Sequence, residues 1–147
     1  MTAAVVSVSR EIAAPAERVF DAWLDPAEAA YFLFATPDGK IIRCDIDPRP
    51  GGRFLITDRR PDGDADHFGK FVEIDRPGRL VFLFRGPHTE EGEWSTVTIE
   101  IEALGDSSRL TLTHEIPEKW ASYAEPVRQG WTMILNTLER QMETKNG

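Results

Sequence analysis

The feature that most constrains this chain lies near its end. In EPVRQGWTMILNTLERQM, residues 125–142, apolar side chains recur at a helical interval. With Trp131 at zero and about 100° per residue, Val127, Ile134, Leu135, Leu138 and Met142 fall within about 60° of it. Arg128, Thr132, Asn136, Glu139, Arg140 and Glu143 take other sides. Ser122 and Glu125 have capping-box spacing, and Pro126 requires the helix to start close by. A helix of about 20 residues is roughly 30 Å long, the width of a small domain. Laid across a curved sheet, one such helix covers the inner face. The stripe is therefore either a plug for a solid core or one wall of a pocket.

The sheet is legible upstream. Residues 4–12 alternate, with Val6, Val8, Arg10 and Ile12 on one parity and Ser7, Ser9 and Glu11 on the other, which predicts a strand with one wet face. Pro15 suits a first helical turn, and Val19, Phe20, Trp23 and Leu24 follow at helical spacing. Asp25-Pro26 ends that helix and begins a short second one, through about Tyr31, before the turn Thr36-Pro37-Asp38-Gly39. From Lys40 to Ile116 the texture is strand and turn: KIIRCDID, the turn Pro48–Gly52, RFLITDRR, the turn PDGD, HFGKFVEID, RPGR, LVFLFR, the loop Gly86–Gly92, EWSTVTIEIEAL, GDSS and RLTLTHEI. Six strands joined by short polar turns predict an antiparallel meander, seven with the first strand. No repeat or linker interrupts the order, so residues 1–147 are expected to form a single domain.

Composition narrows the function classes. A chain with 41% hydrophobic residues can build a core, and 17 basic against 25 acidic side chains give a net charge of −8. Nucleic acid and anionic membranes both call for a basic face, so neither is an expected partner. No segment approaches the roughly 20 apolar residues of a membrane span. Cys44 is the single cysteine, which excludes an internal disulfide, and the start MTAAVVSVSREIAAP reads as no secretory leader. A reduced cytoplasmic location is the expectation. Pro50-Gly51-Gly52 lacks a phosphate-binding spacing and lies between strands, no serine has a G-x-S-x-G setting, and three scattered histidines give no zinc signature. No cofactor or metal is expected.

The order strand, two short helices, six strands and a long terminal helix resembles the START-like, or helix-grip, fold of the SRPBCC superfamily. Within it the chain is similar to the bacterial family that resembles the C-terminal domain of the activator of the 90-kDa heat-shock-protein ATPase. The matching pieces are REIAAPAERVFDAWLDPAEAAYF, DPRPGGRFLI, GKFVEIDRPGRLVFLF, STVTIEIEALGDSSRLTLTHE and GWTMILNTLERQM, which together span nearly the whole chain. Two departures stand out. A tryptophan often follows the second helix in that family, where this sequence has Ala30-Tyr31-Phe32-Leu33-Phe34, and the co-chaperone members carry a separate N-terminal domain.

The resemblance implies an α+β fold with a cavity between the long helix and the concave sheet. Its expected lining is Trp23, Tyr31, Phe32, Phe34, Phe54, Ile56, Phe71, Phe82, Phe84, Trp131 and Leu135, and its expected occupant is a small, largely hydrophobic molecule. The alternative for the same aromatics is that they simply fill the core. His114 shares parity with Leu110, Leu112 and Ile116, so it points inward, as a ligand anchor, a general base or a core histidine satisfied by a neighbour. His67 and His88 sit in or beside turns and are expected to be solvated. Glu100 and Glu102 share a face with Thr96 and Thr98, which suits a wet outer surface better than acid–base work. Arg43 and Arg53 could reach a ligand carboxylate, although surface pairing with Asp45 or Asp58 explains them more cheaply. Met133, at about 200° from Trp131, should be exposed, and with Trp120 and Tyr123 it could form a dimer or partner surface. Gly130, beside Trp131, would permit close approach by a strand or a bound molecule. Three functional readings follow: a binder of a hydrophobic small molecule, a partner of a heat-shock chaperone, or a cavity enzyme of the cyclase or hydrolase kind.

Overall fold

The computed structural model describes residues 4–86 and 94–146, so most of the expected loop Gly86–Gly92, His88 included, lies outside the described residues. Seven strands form one antiparallel sheet: β1 (Ala4–Ile12), β2 (Lys40–Ile46), β3 (Arg53–Arg60), β4 (Gly63–Asp75), β5 (Arg79–Arg85), β6 (Ser95–Leu104) and β7 (Ser107–Ile116). Their order across the sheet is β1-β7-β6-β5-β4-β3-β2, a meander in which the first strand closes against the last. The helices α1 (Ala16–Leu24) and α2 (Pro26–Phe32) bridge β1 to β2, and α3 (Ala124–Asn146) crosses the concave face. This is the helix-grip arrangement that the resemblance implied. No helix among the described residues is long and apolar enough to cross a membrane.

Each element follows from its local sequence. Alternation in β7 buries Leu110, Leu112, His114 and Ile116 and leaves Arg109 and Glu115 outside. Glu100 and Glu102 project from the outer face of β6 and pair with Arg79 and Arg109, so the wet-face reading holds. Asp25 caps α2 by accepting from the Ala27 amide, with Pro26 in the first turn. A 3-10 turn over Glu118–Tyr123 absorbs Ser122, the expected cap, and α3 begins directly at Ala124. Register shifts between Ile41 and Arg43 and between Phe71 and Glu73 mark bulges that bend the sheet around the helix.

The stripe on α3 is buried as its periodicity predicts: Trp131, Ile134, Leu135, Leu138 and Met142 all sit in the core. The polar sides tie the helix to the edge of the sheet. Arg128 donates to the Ser7 carbonyl, and Arg10 on β1 donates to the Asn136 side chain. Half of the concave face is packed solid. Phe54, Phe71 and Phe82 interlock there, and the Phe54 ring lies so close over Gly69 that a β-carbon at that position would stand 1.8 Å from it.

Candidate functional site

The other half of the concave face is open. A cleft of about 440 Å³ lies between the N-terminal half of α3, the ends of β3, β5 and β7 and the first half of β4, walled by Phe34, Phe84 and Trp131 and floored in part by His67, Arg60 and Thr36. Small-molecule sites are of this size and character: largely apolar, with a few placed polar groups.

One wall is set by the register of three strands. Phe84 on β5 lies opposite Ser95 on β6, and Val97, two residues on, lies opposite His114 on β7, so Phe84, Ser95 and His114 are neighbours. The indole Nε1–H of Trp131 donates to His114 Nδ1 at 3.0 Å. An indole is only a donor, so Nδ1 must carry the lone pair and Nε2 the proton. Nε2–H then donates to Ser95 Oγ at 2.7 Å, and the Ser95 hydroxyl donates to the Phe84 carbonyl. Each donor meets one acceptor, and the tautomer follows from the chain rather than from choice. Burial pushes His114 down to about 4. The bond from Trp131 also favours the neutral ring, because protonated Nδ1 would face another N–H. Both ring nitrogens are engaged, so His114 positions Trp131 and has no free lone pair with which to take a proton from a substrate.

His67 forms part of the floor. It is buried, contrary to the expectation that it would be solvated, because β4 begins at Gly63 and places His67 well inside the strand on the parity of Gly69 and Phe71. A carbonyl can only accept, so His67 Nδ1–H donates to the Ile56 carbonyl at 3.2 Å, which leaves Nε2 as an acceptor. Burial, reinforced by the Arg60 charge, lowers this ring to about 4 as well.

Phe34 closes the inner end. It follows α2 in the left-handed region, φ 63°, where glycine is the usual residue. A bulky side chain pays about 1–2 kcal/mol there. Its ring recovers contacts on several sides, lying 4.3 Å from His67 at an interplanar angle of 4° and 5.1 Å from Phe84 at 15°. Phe34 thus separates the solid half of the interior from the open half.

Of the residues expected to line a cavity, Phe34, Phe84, His114 and Trp131 line this cleft. Trp23, Phe32, Phe54, Ile56, Phe71, Phe82 and Leu135 lie in the buried core cluster, which Phe34 and Trp131 also join, and they do not line the cleft. Tyr31 points outward at 70% exposure. Its position near the end of α2 turns it away from the buried face that Ala29 and Phe32 share. Met133, expected opposite the stripe and exposed, is half-buried on the cleft's rim. At Gly130 no strand approaches, since a β-carbon there would meet nothing within 4 Å, and the position opens onto the cleft.

Arg43 pairs with Asp45 on the outer surface, and Arg53 is exposed on the outer parity of β3. The residues missed are Asp58, Arg60 and Thr36. Asp58 is fully buried, and its Oδ2 accepts from Thr36 Oγ1 at 2.7 Å and from Arg60 Nε at 2.8 Å. The signal was available: Phe54, Ile56, Asp58 and Arg60 share one parity in RFLITDRR, so the inward face of the strand turns from apolar to charged along its length.

Comparison with known proteins places this geometry in context. Residues 13–143 match the family model described as Activator of Hsp90 ATPase homolog 1-like protein. A solved protein of Chromobacterium violaceum superposes with a TM-score of 0.83 at 23% identity, covering 95% of this chain and 96% of that one. One from Nitrosomonas europaea superposes with a TM-score of 0.82 at 22% identity, covering 97% and 96%. An HSP90 activator from Plasmodium falciparum superposes with a TM-score of 0.75 at 24% identity, covering 95% and 96%. These likenesses establish a shared fold. No curated protein matches the sequence.

Proposed function

The chain belongs to the family of Activator of Hsp90 ATPase homolog 1-like proteins, and on that premise we propose that it binds a small, largely hydrophobic molecule in the cleft beneath the first half of α3. The observation that carries this reading is the cleft itself, about 440 Å³ bounded by the rings of Phe34, Phe84 and Trp131. The neighbouring interior, built from the same residue types, is filled. A guest entering here would exchange water for aromatic surface, the main favourable term in such binding. Titration with the neutral fluorophore N-phenylnaphthylamine tests it. Emission should rise on binding, and Gly130→Trp, which places an indole in open space, should abolish the rise while the protein stays folded. Absence of binding, or binding indifferent to Gly130→Trp, would refute the cleft as the site.

A second reading rests on the family match and on the Plasmodium protein, which is itself described as an HSP90 activator. In it the chain acts through its surface on a heat-shock chaperone. Trp120 and Tyr123, with ring centroids 5.3 Å apart, and Met133 on the cleft's rim would supply apolar contacts for such a partner or for a second copy of the chain. The hydrolysis rate of the host's own chaperone, with and without the protein, separates the two readings. An unchanged rate together with no co-purification removes the chaperone reading.

A further inference from the structure

The charge pair on the inward face of β3 carries information about the ligand, provided that the cleft is a binding site. Asp58 is fully buried, and a carboxylate so placed requires a partner. Arg60 supplies one through Nε alone. Asp58 Oδ1 has no hydrogen-bond partner, and among the described residues neither Nη of Arg60 donates to the protein. A guanidinium serving only to neutralise Asp58 would do better side-on, with two parallel bonds to both oxygens. Here that geometry is not used. Oδ1 instead lies against Gly39, where a β-carbon would be 2.4 Å from it, and the guanidinium meets Asp58 by one corner.

The outcome is an arginine fixed from behind whose Nη edge is unspent. Its side chain is 29% exposed, and it lines the cleft beside Thr36 and His67. The two histidines of the cleft are held neutral, so among the described residues that line it Arg60 is the one charged group. The rest of the lining is rich in rings, and Phe34, His67 and Phe84 lie within about 20° of parallel, with 4° between Phe34 and His67 and 15° between Phe34 and Phe84. Such an array accepts a flat guest by extending the stack. We propose that the cleft takes a flat aromatic carboxylic acid, with its carboxylate on the Nη edge of Arg60 and its ring against Phe34, Phe84 and Trp131. Arg60 is then the specificity residue. Hydrogen bonds to a charged group are roughly twice as strong as neutral ones, so removing the anion while keeping the ring should be felt.

Calorimetric titration of the full chain with naphthalene carboxylate and with its methyl ester tests this. The acid should bind about 10-fold or more tightly than the ester, in keeping with a charge-assisted pair. Arg60→Gln leaves Asp58 buried without its partner and could unfold, so the double variant Asp58→Asn with Arg60→Gln, which keeps a neutral pair of similar shape, is measured as well. It should bind the ester as the native chain does and lose the preference for the acid. Equal affinity for acid and ester in the native chain, or a preference that survives in the double variant, overturns the role of Arg60. If N-phenylnaphthylamine binds and the naphthalene acid does not, the proposed ligand class is overturned while the cleft stands. If no probe binds, the cleft reading falls and this inference falls with it.

Discussion

At one end of the concave face Phe54 meets Phe82 at 80° with centroids 5.3 Å apart, and Phe71 meets Phe82 at 78°. At the other end Phe34 lies at 4° to His67 and at 15° to Phe84. The same sheet and the same helix enclose both. Edge-to-face rings present edges into one another's faces and use up the space between the layers. Near-parallel rings pack face to face in a slab, and beside them a cleft of about 440 Å³ remains. Two histidines line the open half, and the Asp58–Arg60 pair stands at its floor. One half is packed solid, and the other keeps a cleft, the place where we propose that a guest binds.

The contrast can be broken most forcefully at Phe82, which is 1% exposed. Phe82→Ala should cost about 3–5 kcal/mol in urea unfolding, as for other large aromatic truncations in tight cores. A cost under about 1 kcal/mol would mean that this half is not solid.

Acid should attack the open half next. Both buried histidines are held near 4, below the ordinary value near 6.5. The unfolded chain therefore takes up protons at a pH where the folded chain does not. Stability contributed by each ring is complete above about pH 6.5 and is lost as the pH falls towards 4, by about 3 kcal/mol per histidine. Urea titrations between pH 7 and 5, above the range of most carboxylates, should show uptake approaching two protons on unfolding. A flat profile would contradict the burial of both rings.

A smaller effect is expected from Trp131→Phe, which keeps a ring in place but strands the His114 Nδ1 acceptor. The expected loss is about 1–3 kcal/mol, with the His114 titration moving upward in NMR because a bond favouring the neutral form is gone. The least effect separates ring from backbone at Phe34. Both Phe34→Ala and Phe34→Gly remove the ring, but glycine relieves the left-handed residue, so it should be the more stable of the two by about 1 kcal/mol in thermal or urea unfolding. Equal stabilities would show that φ 63° stores no strain.

Much of the architecture was readable beforehand. Alternation located the strands, helical spacing located the buried stripe of α3, and parity alone turned His114 inward. Where reading failed, a small error in an element's limits or parity was the cause. The strand starting at His67 in HFGKFVEID leaves that residue beside a turn and solvated, whereas β4 starts at Gly63 and carries it into the core, where parity decides between solvent and interior. Arg43 and Arg53 were weighed as carboxylate partners although both lie on the outer parity, whereas Arg60, on the inner one, was passed over. Tyr31 is expected in the lining only through the resemblance, and it points outward at 70% exposure.

By itself the sequence determined which face of each strand and helix would be apolar, because periods of two and of about 3.6 are properties of the backbone and hold wherever the element sits. It also determined that one long helix would have to cover one curved sheet. What it could not determine was where along that covered face the volume runs out. That depends on how rings from different strands meet, on a left-handed residue that sets Phe34 against His67 and Phe84, and on a hydrogen-bond chain that ties Trp131 to the wall through His114. These are distances between residues far apart in the chain, and only the folded packing sets them. Trp131 is therefore plug and wall at once: its stripe seals the core below it, and its ring, pinned by His114, forms one side of the cleft above.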